Sequence, residues 1–333
     1  MDDHQSALKL KAGRPARLLI LFTAMAVGSL AIGLLAGSVP LSVGELWSTL
    51  SGATTGPAHD IVFTVRLPRV LGAFACGGLL ALAGALLQVL LRNPLADPAI
   101  LGVSGGAAAG ALGAMLLGAA AVAVNLAALA GASVAAGAVF AFSLGRSGWN
   151  PYRVLLTGVA LASGFGALVS LMLAVAPSSQ LQGMLFWLLG DLSPAGDPAG
   201  ALLVLAACAA LALSQAAALD VLILGEDKAR SLGVAVTRLQ SIAFGCATLA
   251  TVAAVLLGGA IGFVGLVVPH LLRLSGVHRH GALLPLAVCL GGSLLALADT
   301  LARTVAAPAE LPVGVLTAII GVPVLLVLLA RLR

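Results

Sequence analysis

Charge is what this 333-residue sequence has least of: 9% of its residues are Asp, Glu, Lys or Arg, against 61% hydrophobic, with a mean hydropathy of +1.14. No water-soluble core could hide that much apolar side chain. The same figures exclude intrinsic disorder, and a net charge of +5 spread this thinly excludes a nucleic-acid surface. Cysteine is scarce as well. Cys76, Cys208, Cys246 and Cys289 each fall in an apolar run without the close spacing of a metal site or disulfide framework, and read as small core residues. None of the lysines (Lys9, Lys11, Lys228) follows a glycine, so there is no phosphate-binding Gly-Lys-Ser/Thr loop. The glycine-rich runs 102–110 and 258–265 lie in apolar segments without strand patterning, and read as helix contacts. Acids inside apolar runs come down to Asp299, and clustered catalytic side chains are missing. An ion-coupled secondary transporter, the runner-up reading, and an intramembrane enzyme therefore lack their usual chemistry.

What is present is an all-α membrane protein of about ten spans. Lys9, Lys11, Arg14 and Arg17 precede Leu18–Gly37, a run with the flavour of a secretory signal but too long for one, so it is expected as a retained first span. The polar segment 38–69, with Trp47, is expected as a surface loop or interfacial piece. Further spans are expected at Val70–Leu91, Ala99–Gly118, Ala121–Leu144, Val154–Ala176, Ala199–Leu219, Leu239–Leu257, Ile261–Leu274, Leu283–Leu301 and Val313–Leu332, with a short re-entrant helix at Leu181–Leu189. This divides the chain into a cytoplasmic segment, 1–17, and one polytopic domain, 18–333. The positive-inside rule tests the count: with both termini inside, 14 of the 17 basic residues fall on the cytoplasmic side, leaving Arg66, Arg69 and Arg303 outside.

Two groups of residues stand out. Within the cytoplasmic loop 220–238, Leu224–Val234 packs Glu226, Asp227, Lys228 and Arg230 between apolar spans. It is either a connecting loop whose charges keep it solvated, or a short surface helix that docks on a soluble partner. The three outer arginines either snorkel and pair with Asp60 or Glu310, or form a docking surface for an acidic protein. His270, beside Pro269, reads as a hydrogen-bonded structural residue before it reads as a ligand. Asp299 has the same balance, between a proton or ion relay and a hydrogen bond to a neighbouring helix. His278 and His280 fall in a short loop and call for no role.

The order of residues adds to this. The segment G-E-x-x-A-R-x-L-G at Gly225–Gly233, then Arg66-Leu-Pro-Arg69, G-x-x-L-A-x-A-G-x-x-x-Q ending at Gln88, Asn93-Pro-Leu-Ala-Asp-Pro98, Leu101-Gly-Val-Ser-Gly, Gly262–Arg273, Ala298-Asp299 and Glu310–Gly314 together resemble the permease subunits of binding-protein-dependent ABC importers for iron-siderophores, haem or cobalamin. The resemblance covers nearly everything from Arg66 onward. It implies a type II importer permease in the bacterial inner membrane, working as a homodimer with two ATP-binding cassette subunits and a periplasmic or lipid-anchored binding protein. ATP-Mg would be bound by the partner ATPase, with no cofactor, metal or catalytic residue on this chain. It further implies that Gly225, Glu226, Asp227, Ala229, Arg230, Leu232 and Gly233 contact the ATPase, that Arg66, Arg69 and Arg303 meet glutamates of the binding protein, and that the spans Val154–Ala176 and Val313–Leu332 line the pathway. Asn93 and Leu95 match a cytoplasmic gate. A second gate element precedes the fifth span, where Pro151 and Tyr152 stand in place of the small hydroxyl residues usual there.

Overall fold

The structure, a computed structural model, describes residues 14–37, 39, 41–52, 56–145, 148–193 and 196–330. Most of the expected segment 1–17, together with Arg146, Arg331, Arg333 and the expected last helical residue Leu332, lies outside the described residues.

Apolar runs become helices because lipid offers backbone groups no partner outside their own segment. Helix α1 spans Arg14–Leu35 and α2 spans Val43–Leu50. A capping box starts α2: the Glu45 N–H donates to Ser42 Oγ at 3.2 Å, and the Ser42 N–H donates to the Glu45 carboxylate at 2.8 Å. Helix α3 then runs without interruption over Pro57–Leu90. The stretch 38–69 is thus not a surface loop but two helices, and the second span begins at Pro57 rather than Val70. The arginines that break the hydropathy pattern do not stop the helix, because both are buried against partners. A π-helical turn at Ile61–Arg66 sits just ahead of Pro68, where it gives the ring room that a regular turn would not. From Gly77 through Leu90 every residue of α3 is buried, the mark of a helix packed on all sides.

Asp97 caps a 3-10 turn at Pro98–Leu101, so α4 begins at Val103 and ends at Leu116, inside the expected Ala99–Gly118. Helix α5 spans Ala121–Ser143, and a two-residue ladder pairs Leu144 with Trp149 and Gly145 with Gly148. Helix α6 spans Pro151–Val175, and α7, the expected re-entrant piece, spans Ser178–Leu189. The sixth span is not the continuous Ala199–Leu219: α8, Ala199–Ser214, bends by 61° into α9, Ala216–Leu222. The short α10 is Glu226–Ser231, followed by α11 at Val236–Gly258, α12 at Val264–Leu274, α13 at His280–Ala302 and α14 at Val313–Ala330. Among the described residues, α3, α5, α6, α11 and α13 are long and apolar enough to cross a bilayer, α8 with α9 is a bent sixth, and α1, α4, α12 and α14 hold shorter apolar stretches.

Helices α3 and α13 pack closely against each other. Glycine makes it possible. A Cβ on Gly77 would fall far inside 3.0 Å of the Gly291 carbonyl, and one on Gly84 equally close to Gly265 of α12. The motif glycines are therefore contact surfaces, where backbones meet directly.

Candidate functional site

At one end of α3 lies the charged stretch. Gly225 (φ 112°) and Gly233 (φ 82°) bracket α10 with open space around them, so their glycine identity serves the backbone turn and not packing. Glu226 and Asp227 occupy its first turn, and Lys228 and Arg230 its last, the arrangement that complements a helix dipole. Glu226 is held from three directions: Arg92 at 2.5 Å, Gln240 at 3.1 Å and Arg230 at 3.3 Å. Arg92 reaches it from the turn after α3, where its own φ is +48°. Ala229 is fully buried beneath α10. Asp227, Lys228 and Arg230 face outward, and Leu224 and Leu232 stand 59% and 66% exposed beside them. Apolar groups among fixed charges make a surface that suits a protein partner better than a solvated loop needs.

The residues expected as a gate lie in two places. Asn93 Oδ1 accepts the Leu95 N–H at 2.9 Å, closing a tight turn. Asn150 caps α6 by accepting the Tyr152 N–H at 3.0 Å, with Pro151 at the first helical position and the Tyr152 side chain 82% exposed. Among the described residues no hydrogen bond joins the two pairs. Sequence reasoning missed what supports the first: Gln88, 4% exposed, donates to Leu266 O at 3.2 Å and accepts from Arg273, tying the end of α3 to α12. A lone amide near the end of the otherwise apolar stretch Val70–Leu90 was the available signal.

At the other end of α3 lie the three outer arginines. Arg66, Arg69 and Arg303 are 3%, 8% and 7% exposed, and so form no open docking surface in this structure. Arg69 donates to Asp299 at 3.0–3.2 Å and to Glu310 at 2.8 Å. Arg303 Nε lies 3.8 Å from Asp299, and its NH2 donates to Gly33 O. Arg66 donates to the carbonyls of Leu34, Leu35 and Val39. Pairing with Glu310 is the alternative the sequence left open, whereas Asp60 takes no part. Asp299 is the centre of this cluster, not a free relay group. His270 is packed with its Nε2 unpartnered, so it is not hydrogen-bonded there as expected. His280 is not in a loop: it is the first residue of α13, completely buried, and bonded to Asp220.

The helices that the resemblance assigns to a pathway carry uncovered apolar faces. On α6, Leu156 and Val159 are 73% and 54% exposed; on α14, Ile319 and Leu326 are each 61% exposed. A separate cavity of about 1110 Å³ lies within the chain behind α7, bordered by Asn125, Gln182, Trp187 and Asp197.

Comparison with known proteins agrees with this architecture. The FecCD transport family matches residues 23–331. A cobalamin import system permease protein of Halobacterium salinarum is 42% identical over 305 residues, covering 88% of this chain and 82% of that protein. A vitamin B12 import system permease protein of Shigella boydii is 38% identical over 305 residues, covering 90% and 93%. A solved ABC transporter structure, described as of metal-chelate type and inward-facing, superposes with a TM-score of 0.82 at 30% identity, covering 95% of this chain and 99% of that one.

Proposed function

The chain belongs to the FecCD transport family, and from that premise we propose that two copies of it form the conduit through which a bulky metal chelate enters the cell, driven by ATP hydrolysed on separate subunits. It is a permease of the ABC-importer kind and not an ion-coupled secondary transporter. Cobalamin is the cargo to test first, because the two relatives above are named for it, and ferric siderophores and haem follow. The binding protein delivers the cargo at the outer face of the cytoplasmic membrane, and both termini of the permease lie inside. The exposed apolar faces of α6 and α14 meet their counterparts in the second copy and enclose the pathway. Its walls, built mostly of Gly, Ala, Val and Leu, let a large cargo pass without binding it tightly. Specificity then rests with the binding protein.

The observation that carries this reading is the coupling segment. Glu226 fixes α10 to the body of the protein through Arg92 and Gln240, while Leu224, Asp227, Lys228 and Leu232 remain open to a partner. A pre-fixed surface helix can transmit a push, as a loose loop cannot. Asn93, Leu95, Pro151 and Tyr152 lie at the same face and close the conduit when the ATPases separate or rotate.

Proteoliposomes containing the permease alone should show no ATP hydrolysis and no uptake. Adding the nucleotide-binding subunit and the loaded binding protein should produce ATP-dependent cobalamin uptake. Uptake driven by an ion gradient with neither partner present would refute the proposal.

A further inference from the structure

The coupling segment is held at two points. Besides Glu226, which ties α10 to Arg92 at the end of α3, Asp220 on α9 meets the start of α13. Its Oδ1 accepts the backbone N–H of His280 at 2.9 Å and lies 2.5 Å from His280 Nδ1. The His280 side chain is completely buried, and its Nε2 has no hydrogen-bond partner, so Nδ1 carries the donated proton and Asp220 is the ring's polar link. Capping a helix N-terminus would need only the carboxylate and the backbone N–H. The buried imidazole makes the joint stiffer than a cap.

The helices reached by these two joints, α3 and α13, pack closely against each other. They touch backbone to backbone where Gly77 meets Gly291. At the far side they are joined again, by Arg69 of α3 and Asp299 of α13 at 3.0 Å. From Arg69 to Arg92 is about 34 Å along a helix, so the joints and the ion cluster lie at opposite ends of the same two rods. At this crossing the backbones meet directly and the Phe74 ring of α3 seats against Gly292 of α13, so a displacement of one rod is passed to the other.

We propose that Asp220 and His280 form a positioning joint of the transport cycle: they carry displacement of the coupling segment into α13 while Glu226 and Arg92 carry it into α3. ATPase movement then reaches the outer ion cluster through the two helices, coupled at the Gly77–Gly291 crossing. This inference rests on the reading of 220–238 as the ATPase contact. His280 touches neither ATPase nor cargo and acts through α13.

The test uses the complete transporter, with ATPase subunits and loaded binding protein, in proteoliposomes, and reads the ATP hydrolysed per cobalamin imported. His280→Leu should keep the ATPase bound and its basal hydrolysis within about twofold of wild type, yet raise the ATP-to-cargo ratio at least fivefold. His280→Asn, whose amide retains a donor toward Asp220, should restore at least half of the coupling. A wild-type ratio in His280→Leu, or equal uncoupling in both variants, overturns the proposal. If His280→Leu does not survive purification, Asp220→Leu decides: it removes the acceptor at a position one-third exposed, and an unchanged ratio overturns the proposal. Failure of the wild-type permease to retain any ATPase would instead refute the underlying reading of the segment.

Discussion

Replacing Asp299 with Ala removes the centre of the outer ion cluster. The carboxylate is 1% exposed and accepts both Nε and NH2 of Arg69, while Arg303 Nε lies 3.8 Å away with no other partner. Without it, half of one guanidinium fork and the Nε of another face an apolar gap. Removing one member of a buried ion pair costs about 3–5 kcal/mol. Arg69 keeps Glu310 at 2.8 Å and Arg303 keeps Gly33 O, which places this case near the lower end, about 3 kcal/mol or roughly a hundredfold in the folded-to-unfolded ratio. Asp299→Asn retains an acceptor and should cost about 1–2 kcal/mol. Arg69→Met combined with Asp299→Leu removes both members of the closest pair and leaves only Arg303 uncompensated, so it should be more stable than Asp299→Ala. Unfolding by SDS in mixed micelles, followed by far-UV circular dichroism, measures all three. An Ala variant within about 0.5 kcal/mol of wild type would refute the argument that this cluster locks α3 to α13, as would a double variant less stable than Asp299→Ala.

Three further outcomes follow from the same geometry. Gly84→Ala should destabilise by about 3 kcal/mol, because the added methyl meets the Gly265 backbone, whereas Gly137→Ala, with open space around it, should stabilise by about 0.5 kcal/mol; the same SDS titration compares them. Glu226→Ala should change stability by less than about 1 kcal/mol, since its ion pairs are partly exposed. It should nonetheless weaken co-purification of the ATPase subunit about tenfold. Burial pushes the Asp97 carboxyl above its ordinary value of 3.8, against the opposing hydrogen bonds from Ala99 and Leu266. The folded state then keeps its proton to higher pH than the unfolded state, so Asp97's contribution to stability is greatest near pH 3.8 and below, and falls as pH rises through the raised value. The stability difference between wild type and Asp97→Asn, measured across that range, should shrink toward low pH and widen above it in favour of Asn. A difference independent of pH would show that the group titrates normally.

Sequence reasoning located most helices, because a run such as Leu239–Leu257 has one low-energy form in lipid and its length sets its limits. It also isolated α10, where four charges in an apolar chain leave few alternatives. Boundaries failed where a local pattern met a distant partner. Arg66 and Arg69 appeared to end a loop, and nothing nearby in sequence shows that Asp299 and the last carbonyls of α1 would bury them. The break at Gln215, between α8 and α9, lies in an apolar run with neither Pro nor Gly to mark it. His280 was misplaced for the same reason: its partner, Asp220, is sixty positions away.

The outer arginines show that a charge count leaves the source of compensation open. Placing three cations against the positive-inside bias does require compensation, and a partner protein is one source. The fold supplies another. Asp299 and Glu310 balance two of the three guanidinium charges. The excess falls at the C-terminus of α1, where the last carbonyls of a helix have no partner in their own ladder and carry the negative end of its dipole. Arg66 takes the carbonyls of Leu34 and Leu35, and Arg303 takes that of Gly33. Three helices are thereby closed at one point: α1 by its capped end, α3 by Arg66 and Arg69, and α13 by Asp299 and Arg303. A charge-reversed Arg66→Glu would set a carboxylate against those carbonyls, and the loss should appear first as detachment of α1 from the α3–α13 pair. Proteolysis at the end of α1 measures this, and protection equal to wild type would show that the helix is held by its lateral packing alone.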